Sequence, residues 1–403
     1  MLNNITHVRG FTCWGAHMGI KSKRRDLALI FSKKPATAAA VFTKNVVCAE
    51  PIKLSRQHIK DGKAQAFVIN SGNANACTGT DGWKGAVAMA ETTAKELNIS
   101  PESVIVASTG IIGEPFPTEK VVKGIKECVL KLSDREIAGS LTANAILTTD
   151  TFAKEGFTSF KIDDIQINMG GIAKGSGMIH PNMGTMLGFI VCDIAISSQL
   201  LDEALRIAVD KSFNMITVDG DTSTNDMVAI MCNGEAGNPE ITEKDANYAL
   251  FLSHLENLCT HLAKLIISDG EGSTKLIEYR TEGAEDDNSA RQIVRTISNS
   301  NLVKTAIFGS DPNWGRIVAA AGRSGVPFDP DKVDLYMGIE LNKMVPVLEK
   351  GQPVADVREK LKKTMISSTI IILIDLNLGD GKAVGWGSDF SYEYVRINAE
   401  YTT

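Results

Sequence analysis

Between Lys174 and Ile190 a glycine-punctuated run leads into an apolar stretch, and Gly184-Thr185 stands at the junction. A threonine hydroxyl is a poor nucleophile at neutral pH and needs a base close by. If the peptide bond before Thr185 is cut, the new α-amine supplies that base, because such an amine titrates near pH ~8. This is the N-terminal threonine variant of nucleophile–base logic, and it requires no catalytic histidine. Gly184 suits such a cut: without a Cβ, its backbone can adopt a strained geometry that exposes the carbonyl. On residue types alone the plainer reading prevails, a loop entering a buried strand with the threonine as an ordinary β former.

Other segments invite different chemistry and fall short of it. Gly170-Gly171-Ile172-Ala173-Lys174-Gly175-Ser176-Gly177 has neither the Walker nor the dinucleotide spacing, and Ser108 to Gly113 follows a strand but also misses the fingerprint. None of the six histidines lies in a G-x-S-x-G hydrolase context, and His180, next to Pro181, reads as a loop histidine. Asp219 to Asp226 resembles a calcium loop but lacks the later bidentate glutamate, so no metal site is assigned. Taken singly, Thr109-Gly110 is a turn after a strand and Lys174 a surface lysine.

A longer pattern changes that reading. Lys174-Gly175-Ser176-Gly177-Met178-Ile179, followed by Pro181-Asn182-Met183-Gly184-Thr185-Met186-Leu187, resembles the self-cleavage motif of the ornithine acetyltransferase (glutamate N-acetyltransferase) family of arginine biosynthesis. Further family-like segments occur in order: Asn70 to Cys77, Ser108 to Pro115, Thr148-Thr149-Asp150-Thr151, Val218 to Asp226, Asp269-Gly270-Glu271-Gly272, Phe308 to Arg316, and Arg396 to Thr403. The likeness spans essentially the whole chain. The family often carries alanine where His180, Gly184 and Gly188 stand, and glycine at 184 keeps the small-residue rule.

The resemblance implies an acetyl transfer from N-acetylornithine to glutamate through an acetyl-Thr185 intermediate, in ping-pong order. It implies cleavage between Gly184 and Thr185, giving fragments 1–184 and 185–403. By the same resemblance the Thr109 hydroxyl and the Gly110 N–H are expected to form the oxyanion hole, the group that commonly supplies the largest electrostatic contribution to such catalysis. Thr148, Lys174, Thr185, Glu271, Asn398 and Thr403 match the family's binding positions; among Thr148, Thr149 and Thr151, spacing selects Thr148, with the other two hydroxyls open as alternatives. Lys174 suits the α-carboxylate that acetylornithine and glutamate share, and Glu271 suits the ornithine ammonium. No cofactor is implied, although acetyl-CoA is open as a co-substrate. The implied fold is α/β (α+β), an αββα-type sandwich of two intertwined fragments, assembled as a heterotetramer of two of each. An N-terminal nucleophile amidase or aminopeptidase, with water as acceptor, is the alternative.

The elements that must hold these residues are visible as patterns. Short runs rich in Val, Ile and Phe suggest strands at Leu27 to Phe31, Ala38 to Thr43, Ala66 to Asn70, Val104 to Ser108, Met186 to Ile196, Met227 to Met231, Val333 to Ile339 and Thr369 to Ile374. Helical spacing marks Gly85 to Leu97, Pro117 to Leu132, Leu200 to Ser212, Lys244 to Ile267 and Ala290 to Ile297. The interleaving favours layered sheets covered by helices. Glu282 to Asn288 reads as a linker.

Composition narrows the class. With 403 residues, 43% hydrophobic and 22% charged, the chain is an ordinary globular protein long enough for two or three subdomains. A net charge of −6 gives no stripe for a nucleic acid partner. Lys21, Lys23, Arg24 and Arg25 read as a solvated strand edge. Seven scattered cysteines without a C-x-x-C pair argue for a reducing compartment. With no signal-peptide pattern and no run long enough to span a bilayer, no membrane role is expected and the cytoplasm is the expected location.

Overall fold

The computed structural model describes residues 3–180 and 186–400. The chain is mixed α/β and divides into two compact units, each built around one mixed sheet. The first unit comprises residues up to Asn214 and Asp221–Ile266, and the second Met215–Gly220 with Ile267–Tyr401.

In the first unit the strands lie in the order Val104–Ile111, Lys63–Asn73, Leu27–Phe42, Met227–Cys232, Leu187–Cys192, Ile165–Lys174 and Lys154–Ile162, and Phe11–Ala16 pairs with the start of the long Leu27–Phe42 strand. Two pairs are parallel: Lys63–Asn73 with Val104–Ile111, and Leu187–Cys192 with Met227–Cys232. Alternation decides the faces. Leu27, Leu29, Ala66, Val68, Val104 and Val106 point to one side and meet Ala86, Met89, Val121 and Ile125 of helices Gly79–Leu97 and Thr118–Val129. Ala28, Ile30, Phe67, Ile69, Ile105 and Ala107 take the other side, in a core shared with Phe189, Val191, Ala229 and Met231.

The two strands expected at 27–31 and 38–43 are one strand bent in the middle. Its register shifts between Phe31 and Ala36, where Lys33, Lys34 and Pro35 are exposed, and a proline is tolerated where the ladder is interrupted. The Gly79–Leu97 helix stops as anticipated at Asn98, which is left-handed with φ 55° and returns its N–H to Ala94 and Lys95.

The sheet of the second unit runs Gln352–Pro353, Val345–Glu349, Asp334–Gly338, Thr369–Asp375, Leu276–Ala284, Gly381–Ser388 and Ile216–Thr217. Helix Asp287–Ser298 presents buried Ile293, Val294 and Ile297. The expected linker at 282–288 is corrected here: it is the end of strand Leu276–Ala284 and the start of that helix. Asp286 caps the helix by accepting the Ser289 N–H at 2.7 Å, so its acidity serves a helix N-terminus. Among the described residues no helix is long and apolar enough to cross a membrane.

Candidate active site

Strand Val104–Ile111 brings Thr109 and Gly110 to its end, with Ser71 opposite Thr109 and Gly72 opposite Gly110. Gly110 has φ 134°, and a Cβ there would sit 2.3 Å from the Gly72 carbonyl carbon. Any side chain would therefore both strain the backbone and collide with the neighbouring strand. Asn225 ties this end down: its Nδ2 donates to the carbonyls of Ala74 at 2.6 Å and Ser108 at 2.9 Å.

Strand Ile165–Lys174 ends on Lys174, which is buried despite its charge. Its Nζ donates to Thr109 Oγ1 at 3.3 Å, so the lysine is no surface residue. Buried lysines require counter-charges. Asp150 and Asp226 both interact electrostatically with Lys174, but in different states.

Asp150 Oδ1 accepts from the Gly175 N–H and from Lys154 Nζ, each at 2.7 Å, and Oδ2 accepts from the Thr148 N–H at 2.9 Å. Burial would raise its pKa, yet Lys174 and Lys154 together hold the carboxyl well below the usual carboxylate range. It is therefore an anion at neutral pH. For Asp226 burial prevails: it pushes the carboxyl well above the usual range, and Ser223, Lys174 and Thr43 offset this only in part. Its Oδ2 has no hydrogen-bond partner among the described residues. One acid is thus a fixed charge, and the other is pushed toward its neutral form.

Thr148 is half-buried in the turn after helix Glu136–Ala145, while Thr151 is exposed. The turn is held from the far side by the basic cluster. Lys21 Nζ donates to the Leu147 carbonyl at 2.8 Å, and Arg24 Nη1 donates to the carbonyls of Thr148 at 3.2 Å and Asp150 at 3.1 Å. The solvated edge expected for this cluster holds for the exposed Lys23 and Arg24 and is corrected for Lys21 and Arg25, which are half-buried. The cause is Asp26, fully buried, which accepts the N–H groups of Met18, Ile20 and Lys21 and folds the connection back over the site.

Within the second unit, Glu271 is buried and accepts from Asn398 Nδ2 at 2.8 Å. Asn398 lies on the exposed helix Tyr392–Glu400. That helix is docked on the 269–273 turn: Ser391 Oγ donates to the Gly272 carbonyl at 2.6 Å, and a Cβ on Gly272, at φ 67°, would meet the Tyr394 nitrogen at 2.4 Å.

The structure thus gathers Thr109, Gly110, Lys174 and the Thr148 turn in the first unit, and Glu271 with Asn398 in the second. Gly184, Thr185 and Thr403 lie outside the described residues. Around the junction, Thr222 Oγ1 donates to the His180 carbonyl at 2.9 Å, and the Met227 N–H donates to the Met186 carbonyl at 3.0 Å. The stretch read as a calcium loop supplies these braces together with Asn225 and Asp226. Lys21, Asp150, Lys154 and Asp226 were missed as site residues. A buried Asp150–Lys154 pair at i,i+4 was the available signal for two of them.

Comparison with known proteins bears on the whole chain. The ArgJ family profile matches residues 12–403. The arginine biosynthesis bifunctional protein ArgJ of Symbiobacterium thermophilum is 46% identical over 406 residues, covering 100% of this chain and 99% of its own. The protein of the same description from Caldanaerobacter subterraneus subsp. tengcongensis is 48% identical over 395 residues, covering 98% and 97%. Among solved structures, ornithine acetyltransferase from Mycobacterium tuberculosis complexed with ornithine is 34% identical, with a TM-score of 0.40, over 44% of this chain and 95% of that one.

Proposed function

The chain belongs to the ArgJ family, and from that premise we infer an acetyltransferase of arginine biosynthesis that moves acetyl from N-acetylornithine to glutamate. As in relatives described as bifunctional, it has a second activity, which we assign to acetylation of glutamate by acetyl-CoA.

In this reading Thr185 Oγ attacks the Gly184 carbonyl, the acyl group shifts from nitrogen to oxygen, and water hydrolyses the ester. Residues 1–184 and 185–403 result, the latter with a free α-amine. That amine takes the hydroxyl proton as Thr185 attacks the acetyl carbonyl of N-acetylornithine, and returns it to the departing ornithine nitrogen. Glutamate's amine then attacks the acetyl ester, and the proton lost from its nitrogen restores the threonine hydroxyl. The Thr109 hydroxyl and Gly110 N–H receive the oxyanion of each tetrahedral intermediate.

One contact carries the residue assignment: Lys174 Nζ lies 3.3 Å from Thr109 Oγ1, so a cation for an α-carboxylate and a donor for an oxyanion stand side by side. Thr148 joins Lys174 on the carboxylate side. Glu271 and Asn398 take the ornithine ammonium, and Thr403 completes the pocket. The αββα-type arrangement, the heterotetramer of two of each fragment and a cytoplasmic location belong to the same proposal. Intertwining is supported by the antiparallel pairing of Ile165–Lys174 with Leu187–Cys192, one strand on each side of the cut.

The test is an intact-mass spectrum of active enzyme beside Thr185→Ala. Two fragments divided at Gly184/Thr185 are expected from the first, and one uncut, inactive chain from the variant. A fully active enzyme that remains one chain overturns the mechanism. Release of ornithine that is indifferent to glutamate points instead to the amidase.

A further inference from the structure

The Lys21 ammonium is half-buried, and among the described residues its single hydrogen bond goes to the Leu147 carbonyl at 2.8 Å. An ammonium carries three donors, and leaving the others unused is costly away from water. The surroundings place it near the substrate residues. Its Cγ lies 3.0 Å from where a Cβ on Gly72 would be, and Gly72 is the strand partner of Gly110. The carbonyl it holds precedes Thr148, and it interacts electrostatically with Lys174 and Asp150. Its own placement is rigid, because the Lys21 N–H is fixed on the buried carboxylate of Asp26 at 3.0 Å.

We propose that Lys21 is a further substrate-positioning residue: it fixes the Thr148 turn through Leu147 and presents its remaining donors, beside Lys174, to the α-carboxylate of both amino-acid substrates. This rests on the acetyl-transfer reading of the pocket. Two cations there would otherwise repel, and Asp150, anionic and fully buried, offsets part of that repulsion; a bound carboxylate offsets the rest.

The charged and titratable groups around Lys21 are Asp26, Arg24, Asp150 and Lys174. Burial, opposed by Asp26, brings the Lys21 pKa down to about 8. Its charge is therefore full below that pH and is lost as pH rises through it. KM for both substrates should climb above pH ~8 in the wild type and stay flatter in Lys21→Arg, whose guanidinium remains charged. The Thr185 α-amine titrates in the same range in both proteins, so the difference between them reports on Lys21.

Self-processed, full-length enzyme is compared as wild type, Lys21→Met and Lys21→Arg. For Lys21→Met we expect KM for N-acetylornithine and for glutamate to rise about tenfold, the size of one charge-assisted contact, with kcat changed less than about threefold. Lys21→Arg should recover most of this. N-acetylputrescine, a donor without the α-carboxylate, should be used equally by wild type and Lys21→Met. If Lys21→Met loses the same factor on both donors, Lys21 is only structural and the proposal falls. It falls equally if calorimetry finds ornithine bound as tightly by Lys21→Met as by wild type. Wild-type enzyme that releases no ornithine in response to glutamate strikes the transfer reading instead, and the calorimetric result then still judges Lys21.

Discussion

Lys174 and Glu271 are equally inaccessible, each 8% exposed, yet they are secured in opposite ways. Lys174 ends a central strand and is surrounded by Asp150 and Asp226, whose own backbones are tied into the first unit. Asp150 is locked by two backbone N–H groups and a lysine at once. Glu271 sits in a turn, and its hydrogen-bond partner Asn398 comes from a short exposed helix near the end of the chain. Under the proposed acetyl transfer, the two amino-acid ligands are alike at one end and unlike at the other. Their α-carboxylate is common and can be met by a preorganised cation, whereas their side chains are cationic in one and anionic in the other. An adaptable distal end suits that difference, because preorganisation lowers binding cost only for a group that is always the same.

The sharpest way to break this comparison is Asp150→Asn. It leaves Lys154 buried opposite a neutral amide and removes a counter-charge from Lys174, so a loss of about 3–5 kcal/mol in unfolding free energy is expected. Denaturant titration reads it directly, and a change below about 1 kcal/mol would show that the cluster is not the rigid side. Next in size is Thr109→Ala, which should lower kcat by about 10²–10³ while leaving stability nearly unchanged, as loss of one oxyanion donor does. Single-turnover acetylation from N-acetylornithine measures it, and a rate within threefold of wild type would remove Thr109 from the hole. Smallest is the distal end. Glu271→Gln should raise KM for N-acetylornithine about tenfold and leave that for glutamate within threefold, with unfolding free energy changed by less than about 1 kcal/mol. A similar loss for both substrates would place Glu271 on the common side.

Legibility in the sequence differed sharply between elements. Leu27 to Phe31, Val104 to Ser108 and the helix ending at Asn98 were readable because alternation, helical spacing and a left-handed cap act within a few residues. The 282–288 segment was misread because acidic, polar residues describe a loop and a capped helix start equally well; only the Asp286–Ser289 hydrogen bond separates them. The basic cluster was read only in part, for a different reason: Lys23 and Arg24 are exposed as expected, while Lys21 and Arg25 are half-buried. A charge run is solvated unless something distant takes it, and here the takers are carbonyls at 147, 148 and 150.

By itself the sequence determined the chemistry on offer: a threonine behind a glycine-rich approach, a Thr-Gly pair after a strand, and a set of family-like segments in fixed order. It also determined that the chain would form alternating strands and helices, since both periods are written in neighbouring residues. Tertiary structure alone decided which charges meet. Lys174 and Thr109 are 65 positions apart, and Lys21 and Leu147 are 126 apart. Such pairs are set by strand order and register, which bury some charges together and leave others in water, and the partners met in burial govern whether an acid is held as an anion, like Asp150 between two lysines, or pushed toward its neutral form, like Asp226.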